Sequence, residues 1–148
     1  MQAPPAVPEG FERVWPGGEF IAVNGPLFMR MHEGVFQLGF RVEPRHCNPM
    51  GICHGGMMAS FCDMLLPMAA HRKAGIGMRF LPTISLQIDY LATVPLGAWV
   101  QGEGQVLRST RSIVFAQGLV TADGQPAARA SGVFKIGPDI KPRREVVA

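Results

Sequence analysis

The sequence has no long uncharged apolar run, and its first residues lack the basic region and apolar stretch that mark a secretion signal. We therefore expect a cytoplasmic protein with no membrane partner. Only three cysteines are present, an odd number that argues against a disulfide framework. A phosphate-binding Gly-x-x-x-x-Gly-Lys loop and a dinucleotide fingerprint are also missing, which argues against nucleotide-hydrolysing and dinucleotide-dependent enzymes.

Charge is sparse and slightly basic. Charged residues make up 17% of the 148 residues, the net charge is +3 and the pI is about 9.1. This balance favours an anionic partner, but the basic residues form no dense stripe interleaved with aromatic residues, so we expect no nucleic-acid partner. The hydrophobic content of 47% is that of an ordinary globular protein, and the length fits one domain.

Apolar periodicity and turn residues divide the chain into a flexible leader (1–10), a single domain (11–137) and a C-terminal tail (138–148). A short helix is predicted at 9–15 and one long helix at Gly55–Ala70, which Pro67 is expected to bend or end. Strands are predicted at 20–31, 35–42, 83–91, 98–107, 112–121 and 127–136. One long helix with five to six antiparallel strands makes an α+β fold.

Two turns and one strand show clear patterns. His32-Glu33-Gly34 and Asp123-Gly124 each predict a tight turn between strands. The strand at 83–91 alternates strictly, which predicts a half-buried strand. Its two faces are Thr83, Ser85, Gln87 and Asp89 against Ile84, Leu86, Ile88 and Tyr90.

The most informative segment runs from Asn48 to Asp63 and combines a loop with the start of the long helix. Gly55 and Gly56 follow His54, and glycine permits close approach to the backbone. The first N–H groups of a helix have no partner within it, and the helix dipole makes this end positive. The glycine pair therefore predicts a site where the backbone holds a developing oxyanion.

Asp63 lies seven positions after Gly56, close to two full helical turns, so the two residues share one side of the helix. The other residues on that side, Ala59 and Ser60, are small. The opposite side carries bulky apolar residues that should pack on a sheet, namely Met57, Phe61, Met64 or Leu65, and Met68. We therefore expect Asp63 to point away from its own core, toward a partner subunit.

The pattern Asn-x-x-Gly-x-x-His-Gly-Gly, followed seven positions later by an acid, resembles the hotdog-fold thioesterases of the phenylacetate-pathway (PaaI-like) type. Human relatives of that type include thioesterase superfamily member 2. The resemblance covers roughly residues 33–136. It implies a hotdog fold, in which the curved sheet wraps around the central helix, and hydrolysis of an acyl-CoA thioester to a carboxylic acid and free CoA.

The resemblance also assigns roles within the motif. Asp63 would accept the proton of an attacking water or attack the thioester itself. The backbone N–H of Gly55 would polarise the thioester carbonyl, assisted by the side-chain amide of Asn48. The N–H of Gly56 is a second amide available to the substrate at the helix start. His54 would either contact the thiol leaving group or serve as a structural cap of the loop.

Outside the motif, the resemblance indicates three more residues and an assembly. Thr83 would orient the water together with the acid, with Ser85 as the alternative if the register shifts by two. Arg108 and Arg111 would lie near the nucleotide phosphates of CoA. In the family, the asparagine and glycine come from one subunit and the acid and hydroxyl from the other. This implies a homodimer or a dimer of dimers (a homotetramer) with shared active sites.

Other chemistries fit the sequence less well. His46-Cys47 and Cys53-His54 offer four soft ligands, but their spacing matches no usual zinc pattern, so we expect no metal site. No bound cofactor is expected either, because CoA is part of the substrate. A cysteine nucleophile beside His54 lacks a cysteine-hydrolase signature. Two further functions stay open, a hotdog dehydratase of 3-hydroxyacyl thioesters and a non-catalytic binder or sensor of acyl-CoA. The acyl group is open as well.

Overall fold

The computed structural model describes residues 3, 5–15, 18–73 and 75–140. Two α-helices, seven strands and a short 3-10 turn at Pro44–His46 make up its regular structure. In chain order, the helices and strands are β1 (Glu12–Arg13), α1 (Glu19–Asn24), β2 (Phe28–His32), β3 (Val35–Arg41), α2 (Gly55–Ala70), β4 (Thr83–Tyr90), β5 (Trp99–Ser109), β6 (Ile113–Ala122) and β7 (Gln125–Lys135).

All seven strands form one sheet in the order β1-β2-β3-β5-β6-β7-β4, and each neighbouring pair is antiparallel. The α+β fold is confirmed, with one strand more than the five to six predicted. The extra strand is the two-residue β1, which pairs with the outer side of β2. β4 stands at the opposite edge and bonds only to β7, so its other side is free in the described chain.

The N-terminal elements differ from the predictions. The helix predicted at 9–15 is wrong, because Glu12 and Arg13 pair with β2 and the Phe11 ring packs edge-on against Trp99 at 5.1 Å. The strand predicted at 20–31 is divided into α1 and β2, which the turn residues Gly25 and Pro26 separate. In both places tertiary contacts and turn chemistry override weak local preferences.

The long helix α2 has the predicted bounds, Gly55–Ala70, and contains Pro67. The prediction that Pro67 could end the helix is wrong, since the chain stays helical to Ala70. Pro67 removes only the bond to the carbonyl of Asp63 and lies in the last turn, where the helix has few bonds left to lose.

One side of α2 packs directly on the sheet. Phe61 and Leu65 are fully buried, which stabilises the fold by about 2 kcal/mol for each side chain. Two glycines of β5 allow this close packing: a Cβ on Gly102 would lie 2.5 Å from a Leu65 methyl, and one on Gly104 would lie 2.6 Å from the Cβ of Ala69. The buried residues of the helix are Met57, Met58, Phe61, Cys62, Leu65, Leu66 and Ala70.

Both predicted turns are present. Glu33-Gly34 connects β2 to β3, and Asp123-Gly124 connects β6 to β7. All four residues have positive φ, between 46° and 82°, as a two-residue type I′ turn requires.

The chain ends are partly described. In the predicted leader, the carbonyls of Ala6 and Glu9 accept 2.7 Å hydrogen bonds from Arg41 and Arg30. Near the other end, the Ile140 N–H donates to the carbonyl of Met78 at 2.9 Å. The rest of the predicted tail, 141–148, and residues 1, 2 and 4 of the leader lie outside the described residues. Neither of the described helices combines the length and apolar content needed to cross a membrane.

Candidate active site

The start of α2 is organised by the His54 side chain. His54 is the N-cap residue, and its Nδ1 accepts a 2.7 Å hydrogen bond from the Gly56 N–H. Its carbonyl accepts from Met57 and Met58 at 3.0 and 3.1 Å. The cap therefore occupies the Gly56 amide, which was predicted to bind substrate. Among the described residues, no acceptor is found for the Gly55 N–H, so this amide is left for a ligand.

Asn48 is held by its own loop. Its Oδ1 accepts from the Met50 N–H at 3.0 Å, and its N–H donates to the Ile52 carbonyl at 2.9 Å. These bonds fix the side chain with its oxygen turned to the loop. Its amide nitrogen donates to no described residue. Asn48 and Gly55 thus each contribute one N–H donor to the same cleft.

The two donors line one cleft of about 370 Å³, between the loop, the start of α2 and the end of β4. That volume lies within the usual range for ligand pockets. Its remaining wall is mostly apolar and consists of Ile52, Cys53, Met58, Tyr90, Leu91, Ala92, Thr93, Val94 and Ala127.

Tyr90 is a site residue that sequence reasoning missed. Its hydroxyl donates a 2.7 Å hydrogen bond to the Gly55 carbonyl, and its ring lies against the position where Gly55 lacks a Cβ. Burial, followed by the nearby thiols of Cys62 and Cys53, raises the pKa of Tyr90, so the phenol keeps its proton and donates at neutral pH. The alternation placed Tyr90 on the same face as Ile84, Leu86 and Ile88, but no local signal indicated its contact with Gly55.

The side chains of Asp63 and Thr83, which the resemblance assigns to act together, are in contact. The Thr83 hydroxyl donates a 2.6 Å hydrogen bond to Oδ1 of Asp63, which is half-buried on α2. Ser85 makes no such contact. A carboxylate accepts several hydrogen bonds, so Oδ2 remains available to a water or a substrate.

A β-bulge explains why Thr83 and Ser85 differ. Thr83 pairs with Phe134 and Ser85 with the adjacent Val133, so Ile84 is an extra residue on β4. The strict alternation predicted for 83–91 is therefore wrong at its first residues. The bulge turns Thr83 to the face of Leu86, Ile88 and Tyr90, which α2 covers, and leaves Ser85 on the outer face.

The two groups are far apart within one chain. Asp63 lies eight residues after Gly55, and a helix rises about 1.5 Å per residue, so the two are separated by about 12 Å along the axis. Tyr90 and Thr83 likewise stand at opposite ends of β4. Within one chain, the N–H donors of Asn48 and Gly55 and the Asp63–Thr83 pair (the acid pair) therefore cannot both contact the same carbonyl group.

Arg108 and Arg111 are exposed at the hairpin that joins β5 to β6. In the sheet register, Ile113 lies opposite Lys135 and Thr83 opposite Phe134, so this hairpin stands at the Thr83 end of the sheet. The two arginines thus share an end with the acid pair and lie away from the cleft of their own chain.

The other side chains that could act as nucleophiles or metal ligands are the cysteines and His46. Burial raises the pKa of Cys53 to about 11 and that of Cys62 to about 12, with smaller contributions from Cys47 and Asp63. Both nitrogens of the buried His46 contact backbone groups, of Glu43 and Asn24. Within the described ranges, no three side chains among His, Cys, Asp and Glu gather as metal ligands do.

A larger concavity of about 720 Å³ lies beside the β2–β3 hairpin, β5 and the C-terminal end of α2, with Arg72 and Lys73 in its wall. None of the predicted site residues lines it. The smaller cleft is the candidate site because it contains two N–H donors that find no acceptor among the described residues, beside a helix start, whereas the larger concavity lies beside the negative end of the helix dipole.

Comparisons with known proteins place the chain in a family. A family model described as "Thioesterase superfamily" matches residues 50–128. A Pseudomonas aeruginosa protein, PA0474, named provisionally as an esterase, is 28% identical over 133 residues, which cover 88% of this chain and 97% of that protein.

Solved structures share the fold. Zebrafish thioesterase superfamily member 2 is similar with a TM-score of 0.67 and 24% identity, covering 75% of this chain and 81% of that one. A mutant of the phenylacetic acid degradation protein PaaI from Thermus thermophilus has a TM-score of 0.67 and 19% identity, covering 79% and 97%. A Streptococcus pneumoniae hypothetical thioesterase, solved with coenzyme A, has a TM-score of 0.68 and 17% identity, covering 78% and 88%.

The family match spans more than half of the chain and includes the glycine pair, the acid and the threonine. The antiparallel sheet packed on one long helix is the hotdog arrangement that the sequence resemblance predicted. The chain therefore belongs to the thioesterase superfamily, as a hotdog-fold thioester hydrolase.

Proposed function

We propose that this protein hydrolyses acyl-CoA thioesters to carboxylic acids and free CoA, in active sites that two copies of the chain share. The superfamily supports thioester hydrolysis, and two similar structures, from Streptococcus pneumoniae and Bacillus halodurans, were solved with CoA. The observation that carries the proposal is the unpaired Gly55 N–H at the start of α2, beside the Asn48 amide in an apolar-walled cleft.

In this proposal, the thioester carbonyl accepts hydrogen bonds from the Gly55 N–H and the Asn48 side chain. Both donors are fixed before substrate arrives, Gly55 by the His54 cap and Asn48 by its turn. Fixed donors stabilise the oxyanion that forms during attack, and one such donor is typically worth about 3 kcal/mol of the barrier. The positive end of the α2 dipole acts in the same direction.

Asp63 supplies the second part of the chemistry. As a general base, its carboxylate takes a proton from water while the water oxygen bonds to the carbonyl carbon. The tetrahedral oxyanion then collapses, the C–S bond breaks, and the CoA thiolate leaves and takes up a proton. As a nucleophile, Asp63 would instead form an anhydride that water hydrolyses. Thr83 orients the carboxylate on either route, and neither requires a metal or a bound cofactor.

The separation of the two groups within one chain is the reason for proposing a shared site. An Asp63 about 12 Å along the helix from Gly55 cannot serve the carbonyl held there. Within the described part of the chain, one edge of β4 pairs with no other strand. Ile84, Tyr90 and Leu91, on or beside β4, are each more than half accessible. Pairing two β4 edges antiparallel about a two-fold axis brings the Thr83 end of one strand to the Tyr90 end of the other.

The same arrangement gives a place for the nucleotide. Arg108 and Arg111 stand at the Thr83 end, so in a shared site they belong to the chain that supplies the acid. Guanidinium groups bind phosphates with charge-assisted hydrogen bonds, and both side chains are exposed. We propose that they contact the phosphates of CoA. We also propose that the protein acts in the cytoplasm as a dimer or a dimer of dimers.

The test is a thiol-release assay over a panel of saturated acyl-CoA esters, with wild type and Asp63→Asn. The asparagine is nearly isosteric and still accepts the Thr83 hydrogen bond, but it cannot take a proton. We expect kcat to fall by at least roughly 10²-fold, with KM little changed.

A saturated ester has no hydroxyl to eliminate, so a dehydratase would release no thiol from it. Wild-type protein that binds these esters tightly without turnover would favour the binder or sensor instead. Full activity of Asp63→Asn would keep the hydrolase and remove Asp63 from its centre.

A further inference from the structure

Cys47 and Cys53 stand opposite each other at the two ends of the loop that contains Asn48. They form an isolated antiparallel β-bridge. The bonds of this bridge are made by the flanking residues, since Asn48 N–H donates to the Ile52 carbonyl at 2.9 Å and His54 N–H to the His46 carbonyl at 2.8 Å. The two cysteines are therefore a non-hydrogen-bonded cross-strand pair, in which side chains lie on the same face and approach most closely.

This geometry suits a disulfide. Non-hydrogen-bonded pairs have Cα atoms about 4.5 Å apart, and disulfides join Cα atoms separated by about 4.4 to 6.8 Å. Both cysteines are free and half-buried. At present the Cys47 thiol donates to the Glu43 carbonyl at 3.5 Å and the Cys53 thiol to the His54 carbonyl at 3.7 Å. Side-chain rotation, without movement of the loop backbone, brings the sulfurs together.

Only one of the three thiols reaches the cleft. Cys53 lines it beside Asn48 and Gly55. Cys47 lies across the loop, and Cys62 is fully buried on α2 against the sheet. A small molecule that enters the cleft can therefore contact Cys53, which is paired across the loop with Cys47.

We propose that Cys53 is a site of covalent modification by disulfides of the pantetheine class, and that Cys47 resolves the mixed disulfide into an intrachain Cys47–Cys53 bond. The choice of pantetheine rests on the proposed function, because the CoA thiol is released into this cleft. The intrachain bond itself rests only on the pairing of the two cysteines. Its function is to clear the cleft, since a pantetheine attached to Cys53 would occupy the place of the substrate.

The chemistry is two thiol–disulfide exchanges. Cys53 loses its proton and attacks one sulfur of R–S–S–R, which forms the Cys53–S bond and breaks the S–S bond. The departing R–S⁻ takes up a proton. The Cys47 thiolate then attacks the Cys53 sulfur and expels the second R–SH. In total the protein loses two protons and two electrons, which equal two hydrogen atoms, and the small disulfide gains them to become two thiols.

The rate of the first step should depend strongly on pH. Burial raises the pKa of Cys53 to about 11, and the neighbouring Cys47 thiol contributes. The thiolate is the attacking form, so the rate should rise about tenfold for each pH unit while the pH stays below that pKa. The modification is therefore slow at neutral pH and faster in mildly alkaline solution.

The experiment incubates the protein with pantethine, the disulfide of pantetheine, and follows thiol content, intact mass and disulfide-linked peptides. We expect wild type to fall from three free thiols to one, to lose the mass of two hydrogen atoms and to yield a Cys47–Cys53 peptide. Cys47→Ser should stop at a pantetheine adduct on Cys53. Cys62→Ala, the matched control outside the pair, should form the same Cys47–Cys53 bond and fall from two free thiols to none. Oxidised glutathione should react more slowly than pantethine.

Activity provides a second readout. After pantethine treatment, wild type should retain thiol release and Cys47→Ser should lose it, until a reductant restores it. Three thiols remaining in wild type, or the same stable adduct in wild type and Cys47→Ser, would overturn the proposal. Equal rates for pantethine and glutathione, with the intrachain bond still formed, would overturn the preference for pantetheine and leave the intrachain bond unaffected. The proposed function is tested separately, by thiol release from acyl-CoA esters.

Discussion

The two parts of the proposed site are built in different ways. At the start of α2, the Gly55 amide and Asn48 are held by backbone turns, by the His54 cap and by the Tyr90 hydroxyl. The Asp63 carboxylate is held by one side-chain hydrogen bond, which comes from Thr83. Thr83 lies on the edge strand β4, next to a bulge. The first part is a donor pair held by the backbone of one chain, and the second is an acid on α2 whose hydrogen-bond donor lies on β4, the edge strand.

The difference follows from what each part must do. An oxyanion donor acts through position, so rigidity before binding is its main contribution. A base or nucleophile must reach its target and exchange protons or bonds with it. Asp63 lies about 12 Å along α2 from the Gly55 of its own chain, so in the proposed site it acts on a carbonyl held by the Gly55 of a second copy. In the proposed shared site, the Asp63–Thr83 pair lies beside the edge strand β4, so the acid can serve the cleft of a second copy.

The largest expected effect concerns the acid part. Thr83→Ala removes the hydrogen bond that orients the Asp63 carboxylate, and such a bond to a charged group is worth about 1.5–3 kcal/mol. We expect kcat for thiol release to fall about tenfold or more, with KM nearly unchanged. Thr83→Ser keeps the hydroxyl and should restore most of the rate.

Ser85→Ala is the matched control. It removes a hydroxyl two residues away on the outer face of the same strand, so the rate should stay within about twofold of wild type. Equal losses in Thr83→Ala and Ser85→Ala would show that the bulge does not select between them.

A smaller effect is expected at the start of α2. Tyr90→Phe keeps the ring in the cleft wall and removes only the hydrogen bond to the Gly55 carbonyl, a neutral bond worth about 1 kcal/mol. Steady-state kinetics should show kcat reduced by about fivefold with KM unchanged. An unchanged kcat would mean that the His54 cap alone positions Gly55. A raised KM with normal kcat would make Tyr90 a binding residue instead.

Much of this could be predicted from the sequence, for local reasons. The bounds of α2 follow from its apolar spacing, and the Glu33-Gly34 and Asp123-Gly124 turns follow from the positive φ that glycine tolerates. The family resemblance named Thr83 as the partner of Asp63, and the two side chains are hydrogen-bonded.

The features that the sequence did not predict depend on contacts between distant segments or on side-chain orientation. A bulge at Ile84 has no sequence signature, because it is set by the pairing of β4 with β7. The capture of the Gly56 amide by His54 depends on a ring orientation that spacing does not determine. β1 exists because of β2 and Trp99, although its own residues suggested a helix.

The most direct test of the shared site is complementation between two inactive chains. Asn48→Ala disables the donor part and Asp63→Ala disables the acid part. Each homodimer should be nearly inactive, because both of its sites lack one part. A heterodimer purified through two different tags carries one site with both parts intact, so it should recover about half of the wild-type activity per dimer. Verified heterodimers that stay as inactive as the parent homodimers would contradict a shared site, because they would require each chain to complete its own.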